Sequence, residues 1–499
     1  AAGLDIPSVS GHSPDLIDSH INSLPSSTTD SKQQLNALRE KARQGVAHRL
    51  SEFEHSETNL GTITLPTGFG KTLTGVQAAL TLADEASRVV YAFPYTSILD
   101  QTDEVLQTAL NIQPTEPGYT VHHHLSDTRT LPRSNAREHA IDDAAAELLA
   151  ETWHAPLVLT TFVQLFESLA GPTNSQGVKL SSLQDAVVLL DEPQALPERW
   201  WRFIAWTVDL LNREFNTTVI FMTATQPRLL EYLPYTDNPF ELVPDHTQYF
   251  DFLTHSPRVR YRLDNSVQRY LESPQTASSR PLTDAISEVV SADEKHVLSV
   301  GNTVASVAEQ GSQLLTRLDG AVSLNSCLGS VYDEFTSAHA YHEQITDRLL
   351  ARVSVDSPTV VAILTSRLRP LDRSILLSAI RRLLNSEIPI YVVSTQLIEA
   401  GVDVSFEQVY RDFAPLPSLI QTAGRCNREF GDNVSDVVVW RLQSPEHGTA
   451  TADIIYRDGY NLLSPTRETL QSMANSGMIS EQKMAVDASE AYFRRLHTD

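Results

Sequence analysis

The sequence predicts an α/β protein with two doubly wound parallel-sheet units in tandem and a short helical region after them. Short apolar runs alternate with helical patterns, and this alternation stops once in a proline-bearing stretch before it starts again. Strands that are apolar throughout are typical of a parallel sheet with helices on both faces. A glycine-containing loop after the first run has the pattern of a phosphate-binding loop. At 499 residues, the chain is long enough for about three domains, each with its own core.

The first unit is predicted at 33–235. Residues 1–32 are rich in Ser, Pro and Asp without a periodic apolar pattern, so we expect a linker or disordered lead-in there. An amphipathic helix is predicted over 33–53. The strands of this unit are predicted from the apolar runs at 62–65, 89–92, 157–160, 187–190 and 219–222.

The second unit is predicted at 281–445, after a connector at 236–280. The connector is expected because this stretch contains prolines and mixes polar with apolar residues. Residues 446–499 are polar and helical in pattern, and we expect a helical C-terminal accessory region because the segment is too short for a further domain. The strands of the second unit are predicted from the runs at 297–300, 360–363, 390–393 and 437–440.

The loop between the first predicted strand and a helical segment at 73–82 predicts a nucleotide site. Glycines let the backbone curl so that several N–H groups point at one anion, and the N-terminus of the next helix adds partial positive charge. Lys71 is placed to reach the β- and γ-phosphates of ATP, and the Thr72 hydroxyl to ligate Mg²⁺. The strict pattern has glycine where this chain has Leu65, and a chance Gly-Lys-Thr turn is the alternative interpretation. The predicted nucleotide-binding residues are Pro66, Thr67, Gly68, Phe69, Gly70, Lys71 and Thr72.

Two carboxylates, Asp191 and Glu192, follow the predicted strand at 187–190. Ligands of open α/β sheets bind outside the carboxyl ends of the strands. We expect Asp191 to hold Mg²⁺ and Glu192 to polarise the water that attacks the γ-phosphate. The alternative is an acid that caps a turn enforced by Pro193. Together with the phosphate loop, the pair predicts ATP hydrolysis.

The charge balance is typical of a protein adapted to molar salt. The chain carries 62 Asp and Glu against 38 Lys and Arg, which gives a formal net charge of −24. At ~1 M salt the Debye length is about 3 Å, so repulsion within such a surface is largely screened. We therefore expect a halophilic source, and the acidity does not exclude nucleic-acid binding. The lysines are Lys32, Lys41, Lys71, Lys179, Lys295 and Lys483.

The cysteine content and the hydropathy pattern predict a cytoplasmic protein without a membrane partner. Cys327 and Cys426 offer neither a disulfide framework nor a metal cluster, which favours a reducing compartment. No apolar run approaches the ~20 residues that cross a bilayer.

The sequence Asp191-Glu192-Pro193-Gln194 resembles the Asp-Glu-x-x box of superfamily 2 helicases, and further motifs of that superfamily occur in the same order. The resemblance implies two RecA-like domains and coupling of hydrolysis to movement by Gln194, Thr223 and Thr225. It implies nucleic-acid contacts by Tyr95, Thr96, Thr160, Thr161, Asn302, Thr303, Thr395 and Gln396. In the second unit it implies nucleotide contacts by Gly401 and Asp403, and catalytic roles for Gln421, Arg425 and Arg428, the two arginines acting as arginine fingers.

Within that superfamily, the chain resembles the CRISPR-associated type I interference helicase of a halophilic archaeon. The resemblance rests on Gln396-x-x-Glu399-Ala-Gly-x-Asp403, then Asp412-x-x-Pro415, then Gln421-x-x-Gly-Arg-x-Asn-Arg428. It implies an ATP-driven translocase that moves 3′-to-5′ along single-stranded DNA. It also implies recruitment to target DNA that a crRNA-guided surveillance complex has opened.

Three departures from the family pattern affect these expectations. The box commonly ends in His where this chain has Gln194, and the residue after Gln421 is usually Arg where this chain has Thr422. The family often carries a His-Asp metal nuclease, but this sequence has no His-Asp dipeptide, so we expect no nuclease activity from it. A nuclease domain or subunit is then expected upstream or in trans. Two alternatives stay open, namely another superfamily 2 helicase acting on RNA or in repair, and a P-loop scaffold that does not hydrolyse ATP.

Overall fold

A computed structural model describes residues 13–24, 30–84, 87–112, 118–122, 152–171, 178–196, 198–224, 228–233, 239–292, 294–333, 342–354, 359–399, 402–428, 430–431, 433–456, 462–474 and 477–496. The chain forms two compact units, Ala1–Phe250 and Asp251–Asp499. Each unit is built on a mainly parallel sheet, which confirms the predicted fold class. None of the helices in the described residues is long and apolar enough to span a bilayer.

The first unit contains a seven-stranded sheet with the order β3-β4-β2-β5-β6-β1-β7, and all of its strand pairs are parallel. The central strands are buried along their whole length, as their continuous apolar runs predict. The strands are β1 (Leu60–Thr64), β2 (Val89–Phe93), β3 (Tyr119–His122), β4 (Leu157–Thr161), β5 (Val187–Asp191), β6 (Thr218–Thr223) and β7 (Phe240–Glu241).

The α-helices of the first unit are α1 (Asp15–Ser23), α2 (Asp30–Glu54), α3 (Lys71–Leu82), α4 (Thr96–Ala109), α5 (Phe162–Ala170), α6 (Trp201–Phe215) and α7 (Thr247–His255), the last of which runs across the division between the units. Short 3₁₀ turns lie at Val178–Leu183, Pro193–Ala195, Glu198–Trp200 and Arg228–Tyr232.

The strand register places the predicted motif residues of the first unit at one edge of the sheet. Thr64 pairs with Thr223, and Asp191 pairs with Met222. The phosphate loop follows β1, and the carboxylate pair ends β5. Because these strands are parallel, their carboxyl ends meet at the edge where α/β proteins bind ligands.

The second unit contains an eight-stranded sheet with the order β10-β11-β12-β9-β13-β14-β8-β15. Its pairs are parallel except for β15, which runs antiparallel to β8. The strands are β8 (Val259–Leu263), β9 (His296–Val300), β10 (Ala321–Ser323), β11 (Thr359–Leu364), β12 (Ile390–Ser394), β13 (Gln408–Asp412), β14 (Ser435–Trp440) and β15 (Met478–Ser480).

The α-helices of the second unit are α8 (Asn265–Glu272), α9 (Leu282–Val290), α10 (Val304–Arg317), α11 (Leu324–Tyr332), α12 (His342–Ser354), α13 (Pro370–Leu384), α14 (Leu416–Ala423), α15 (Thr451–Ile455), α16 (Leu463–Met473), α17 (Glu481–Lys483) and α18 (Ser489–Leu496). A 3₁₀ turn lies at Gln396–Ile398, and a π-helical turn, Met484–Ala488, joins α17 to α18.

The structure differs from the sequence prediction in the segment 236–280, which is more than a connector. It contains β8, a strand that lies inside the second sheet between β14 and β15. Val259, Tyr261 and Leu263 are buried, whereas Arg260 is exposed. This alternation is typical of a strand with one covered face, and a search for continuous apolar runs does not detect it.

Both ends of the chain also contain more structure than expected. Helix α1 lies within the predicted lead-in, and α2 begins at Asp30. The predicted helical region at 446–499 contains strand β15, which extends the second sheet. Residues of this region are therefore integrated into the second unit through backbone pairing.

Candidate nucleotide-binding site and helicase motifs

The phosphate loop lies between β1 and α3 and has the backbone that its glycines predict. Gly68 and Gly70 have φ values of 90° and 80°, in the left-handed region where a side chain is strained. Arg39 Nε donates a hydrogen bond of 2.8 Å to the Gly68 carbonyl. Phe69 is fully buried, with its ring 6.2 Å from that of Tyr249, so its side chain anchors the loop.

Lys71 is the first residue of α3, and its ammonium group lies against the carboxylate pair. Lys71 Nζ is 2.8 Å from Glu192 Oε1 and donates a 3.2 Å hydrogen bond to the Leu65 carbonyl. Glu192 has φ 50° and ψ 54°, a left-handed conformation for a residue with a side chain. The loop lysine and the Glu192 carboxylate thus form an ion pair at the carboxyl edge of the sheet.

Tyr91 connects the two predicted Mg²⁺ ligands, and the motif patterns did not identify it as a site residue. It is fully buried, it is hydrogen-bonded to the Thr72 side chain, and its hydroxyl donates a 3.2 Å hydrogen bond to Asp191 Oδ2. Burial raises the pKa of Tyr91 well above its usual value, so the hydroxyl keeps its proton. A tyrosine inside an otherwise apolar strand was the available signal, because a buried phenol needs a polar partner.

The electrostatics of the carboxylate pair fit a bound divalent cation. Burial raises the pKa of the Asp191 carboxyl, the adjacent Glu192 raises it further, and Lys71 and Tyr91 lower it. A desolvated carboxylate pair is stabilised by a nearby cation. Thr72 and Asp191 offer the oxygen ligands that Mg²⁺ prefers, so the donor set fits the predicted metal.

Gln194 bridges the carboxylate pair and the end of β6. Its Nε2 donates a hydrogen bond to Glu192 Oε2, and its Oε1 accepts one of 2.9 Å from Thr223 Oγ1. The predicted coupling residues Gln194 and Thr223 therefore lie in one hydrogen-bonded chain with Glu192. Thr225, the third of them, lies outside the described residues.

The predicted nucleic-acid contacts of the first unit differ in exposure. Tyr95 is 48% exposed, and Thr96 begins α4 with a partly exposed side chain. Thr160 is buried, and its hydroxyl donates a 2.9 Å hydrogen bond to the His122 carbonyl. Thr161 caps α5 by accepting a hydrogen bond from the Gln164 N–H. Tyr95 and Thr96 are thus at least partly exposed to solvent, whereas Thr160 and Thr161 are buried and use their hydroxyls inside the unit.

The predicted contacts of the second unit are largely engaged with the unit's own residues. Asn302 is buried, and its Nδ2 donates a 2.8 Å hydrogen bond to the Phe413 carbonyl. Gln396 Nε2 donates to the Asn302 carbonyl at 3.3 Å. Thr303 caps α10 in a capping box with Ser306, and Thr395 is buried. These residues therefore also stabilise the carboxyl edge of the second sheet.

Arg411 is the centre of a buried network that none of the motif patterns predicted. It lies on β13, is fully buried, and its Nη2 is 2.8 Å from Glu399 Oε1. Its Nη1 donates to Asn302 Oδ1 at 2.7 Å, and its Nη2 to Ser418 Oγ at 3.1 Å. Thr422 Oγ1 donates a 3.0 Å hydrogen bond to Glu399 Oε1. Thr422, at a position that is usually Arg, thus shares the Glu399 carboxylate with Arg411.

The predicted arginine fingers have partners within the second unit. Arg425 is buried, and its Nε and Nη2 donate to the carbonyls of Ile398 and Glu399 at 3.0 and 2.9 Å. Arg428 Nε is 3.1 Å from Asp403 Oδ1. Gln421 is a partly buried residue of α14, and Gly401 lies outside the described residues. Arg425 and Arg428 are therefore bound to the backbone at Ile398 and Glu399 and to the carboxylate of Asp403.

Two family models match separate parts of the chain. Residues 30–228 match the model described as type III restriction enzyme, res subunit. Residues 325–430 match the model described as CRISPR-associated nuclease/helicase Cas3, C-terminal. The two matches fall in the first and the second unit, respectively.

Solved structures support the fold. The crystal structure of T. fusca Cas3 with ATP is similar with a TM-score of 0.57 and 16% identity, over 92% of this chain and 54% of that chain. The crystal structure titled T. fusca Cas3 is similar with a TM-score of 0.55 and 15% identity, over 92% of this chain and 53% of that chain. Both units thus have the RecA-like architecture that the motif order implied.

The CRISPR-associated nuclease/helicase Cas3 of Haloferax volcanii is 38% identical over 474 residues, which cover 83% of this chain and 50% of the relative. This chain therefore spans about half the length of the curated relative that it matches. The relative is consistent with the halophilic archaeal source that the charge balance predicts. The chain is a homologue of the CRISPR-associated nuclease/helicase Cas3 over about half of that protein's length.

Proposed function

We propose that this chain hydrolyses ATP to move 3′-to-5′ along single-stranded DNA, and that it unwinds target DNA in type I CRISPR interference. The observation that carries the proposal is the convergence of motif residues at the carboxyl edge of the first sheet. Lys71, Glu192, Gln194 and Thr223 form one connected chain of contacts there. The homology to Cas3 and the order of the other motifs support the choice of reaction.

The contacts at this edge support a sequence of roles in hydrolysis. When the phosphates of ATP enter the loop, they compete with Glu192 for the Lys71 ammonium. The Glu192 carboxylate is then free to accept a hydrogen bond from the attacking water. Gln194, bonded to both Glu192 and Thr223, would transmit that change to the end of β6.

Thr72 and Asp191 would hold Mg²⁺, and Tyr91 would orient both ligands. The ion supplies positive charge that neutralises the phosphate oxygens. Arg425 and Arg428 remain the candidates for arginine fingers, and Gly401 and Asp403 for nucleotide contacts from the second unit.

The substrate and partners are inferred from the motifs and the homology. The proposed DNA contacts are hydroxyl and amide side chains, which hold the sugar–phosphate backbone without reading its sequence. We infer that a crRNA-guided surveillance complex delivers the DNA in the cytoplasm and that a nuclease domain or subunit outside these 499 residues cuts it.

ATP hydrolysis measured in molar KCl, with and without single-stranded DNA or RNA, tests the proposal. We expect stimulation by DNA and near-complete loss of turnover in Lys71→Ala and Glu192→Gln. Hydrolysis that only RNA stimulates would favour the alternative of another superfamily 2 helicase. No hydrolysis with either polymer would favour the non-hydrolysing scaffold.

Unwinding of partial duplexes with either a 3′ or a 5′ overhang tests the direction of movement. We expect unwinding only from the 3′ overhang, and Glu192→Gln serves as the control without turnover. Unwinding from the 5′ overhang alone contradicts the proposed polarity.

A further inference from the structure

Helix α6 and the residue directly before it expose large apolar side chains to solvent. Trp200 is 49% exposed, Phe203 37%, Trp206 58% and Leu210 45%. The opposite side of the helix packs inward through residues such as Trp201, Ile204, Val208 and Leu211. A surface helix normally has a polar outer side, and an exposed apolar patch marks an interaction site. We call Trp200, Phe203 and Trp206 the aromatic face.

The aromatic face begins close to the carboxyl edge of the first sheet. Trp200 directly precedes α6, which follows β5, and Phe203 lies in the first turn of this helix. The Phe203 ring is 6.1 Å from that of Trp200 and 6.4 Å from that of Phe166 on α5. Helix α5 begins directly after Thr161, and its Val163 is 54% exposed. The patch therefore adjoins the edge to which the nucleic-acid motifs of this unit belong.

Arginines accompany the aromatic face. The Arg199 guanidinium lies 5.9 Å from the ring centroid of Trp200, and that of Arg202 lies 5.4 Å from the centroid of Tyr232. Both arginines are exposed, and neither is in an ion pair with another residue of the described ranges. Two acids are near in sequence, since Glu198 is partly buried and Glu167 is exposed on α5. In a chain with 62 acidic and 38 basic residues, two unpaired arginines beside exposed rings are notable.

Rings interleaved with arginines fit a single strand of nucleic acid better than they fit a neutral protein surface. Bases stack on aromatic side chains whatever their sequence, and guanidinium groups bind phosphates. Salt screens the phosphate contacts but does not remove base stacking. A motor that works in molar salt therefore needs a stacking surface more than a basic groove.

We propose that the aromatic face, with Arg199 and Arg202, binds single-stranded DNA by stacking its bases. The choice of DNA rests on the function proposed above, whereas the stacking site itself goes beyond the motif contacts proposed there.

Tryptophan fluorescence of the full chain tests this site directly. The chain has five tryptophans, and Trp153, Trp201 and Trp440 are at most 2% exposed, whereas Trp200 and Trp206 are about half exposed. Titration with a poly-dT oligonucleotide in molar KCl is expected to quench the emission of the two exposed tryptophans. Trp200→Leu and Trp206→Leu keep apolar side chains but cannot stack, and we expect each to bind the oligonucleotide about tenfold more weakly. Trp206→Phe, which keeps a ring, is the matched control and is expected to retain most of the affinity.

The outcomes separate this inference from the proposed function. If both leucine variants bind DNA as the wild type does, the aromatic face is not a DNA site, and a protein partner is the better occupant. If the wild type shows quenching and the leucine variants lose affinity, the aromatic face is supported as a DNA-binding site even when ATP is not hydrolysed. A third outcome is that DNA stimulates hydrolysis equally in the wild type and the leucine variants at DNA concentrations near half-saturation. That result supports the proposed ATP-driven function and contradicts the stacking site.

Discussion

Gln194 carries two hydrogen bonds that a leucine cannot make and a histidine can. Its amide donates to Glu192 and accepts from Thr223. A neutral imidazole likewise has one donor and one acceptor nitrogen. The glutamine in place of the histidine of related helicases is therefore a chemical equivalent, and the sequence alone did not decide whether coupling survives it.

We predict that Gln194→Leu lowers the stimulation of ATP hydrolysis by DNA about tenfold or more, because hydrogen bonds to charged groups contribute about 1.5–3 kcal/mol. Gln194→His is the matched control and is expected to keep most of the stimulation. The measurement is the ratio of turnover with and without a saturating oligonucleotide. Equal effects of both substitutions would contradict the bridging role.

The buried carboxyl of Asp412 makes the unfolding free energy of the second unit depend on pH, and a single substitution can isolate this contribution. Burial raises the pKa of its carboxyl to about 6, although it accepts hydrogen bonds from Thr451 Oγ1 and the Leu442 N–H. The folded-state pKa thus lies above the unfolded value of about 3.9. The contribution of Asp412 to stability is therefore fully present below about pH 4 and is lost as the pH rises through 6.

We predict that, between pH 4 and pH 7, the unfolding free energy of Asp412→Asn falls by about 2 kcal/mol less than that of the wild type, because asparagine does not ionise. Urea unfolding at fixed KCl concentration measures the difference, and the other titrating groups cancel in the comparison. Parallel pH profiles of the two proteins would show that folding does not raise the pKa of the Asp412 carboxyl.

At the scale of secondary-structure elements, continuous apolar runs identified the central strands, and polar buried strands were missed. The runs at 89–92, 187–190, 297–300 and 437–440 all lie within strands of the structure. Strand β13 is buried throughout, yet it contains Gln408, Arg411 and Asp412. Arg411 and Asp412 form hydrogen bonds with residues from distant parts of the chain, Asn302 and Thr451, which periodicity cannot reveal.

The residues of the candidate site likewise divide into those that the local sequence predicts and those that depend on distant contacts. Local spacing predicted the loop and the carboxylate pair, which lie at or directly after the ends of their strands, whereas Gln194 was implied by the resemblance to superfamily 2 helicases. Tyr91 and Arg411 act through contacts about 100 residues away in sequence, from Tyr91 to Asp191 and from Arg411 to Asn302. Only the strand order brings these partners together.

The Arg411 network links strand β13 to Glu399, directly after the 3₁₀ turn Gln396–Ile398, and to Ser418 of helix α14. We predict that Arg411→Met lowers the unfolding free energy by about 3–5 kcal/mol, because Glu399 is then buried without its counter-ion. The double variant Arg411→Met/Glu399→Leu is expected to recover much of that loss, because an apolar pair of similar volume needs no charge compensation. Urea unfolding measures both variants. A double variant as unstable as the single one would mean that Asn302 and Ser418, rather than the ion pair, are what Arg411 stabilises.

At the scale of the whole molecule, the net charge of −24 predicts that stability depends on salt. The Debye length falls from about 10 Å at 0.1 M to about 3 Å at 1 M, so repulsion between surface carboxylates is mostly removed over this range. We predict that the midpoint of thermal unfolding rises steeply between 0.1 and 1 M KCl and only slightly above 1 M.

A variant with fewer exposed acids tests whether this repulsion is the cause. Glu54, Glu272 and Asp319 are exposed, and replacing them with Gln, Gln and Asn changes the net charge from −24 to −24 + 3 = −21. We expect this triple variant to unfold at a higher temperature than the wild type in 0.1 M KCl and at nearly the same temperature in 2 M KCl, where screening makes the removed charges irrelevant. Sucrose at matched osmolality is the control, because it favours compact states without screening charge and should stabilise both proteins equally. If the unfolding midpoint rises equally with KCl concentration in the two proteins, KCl acts through hydration of the surface rather than through screening of its charge.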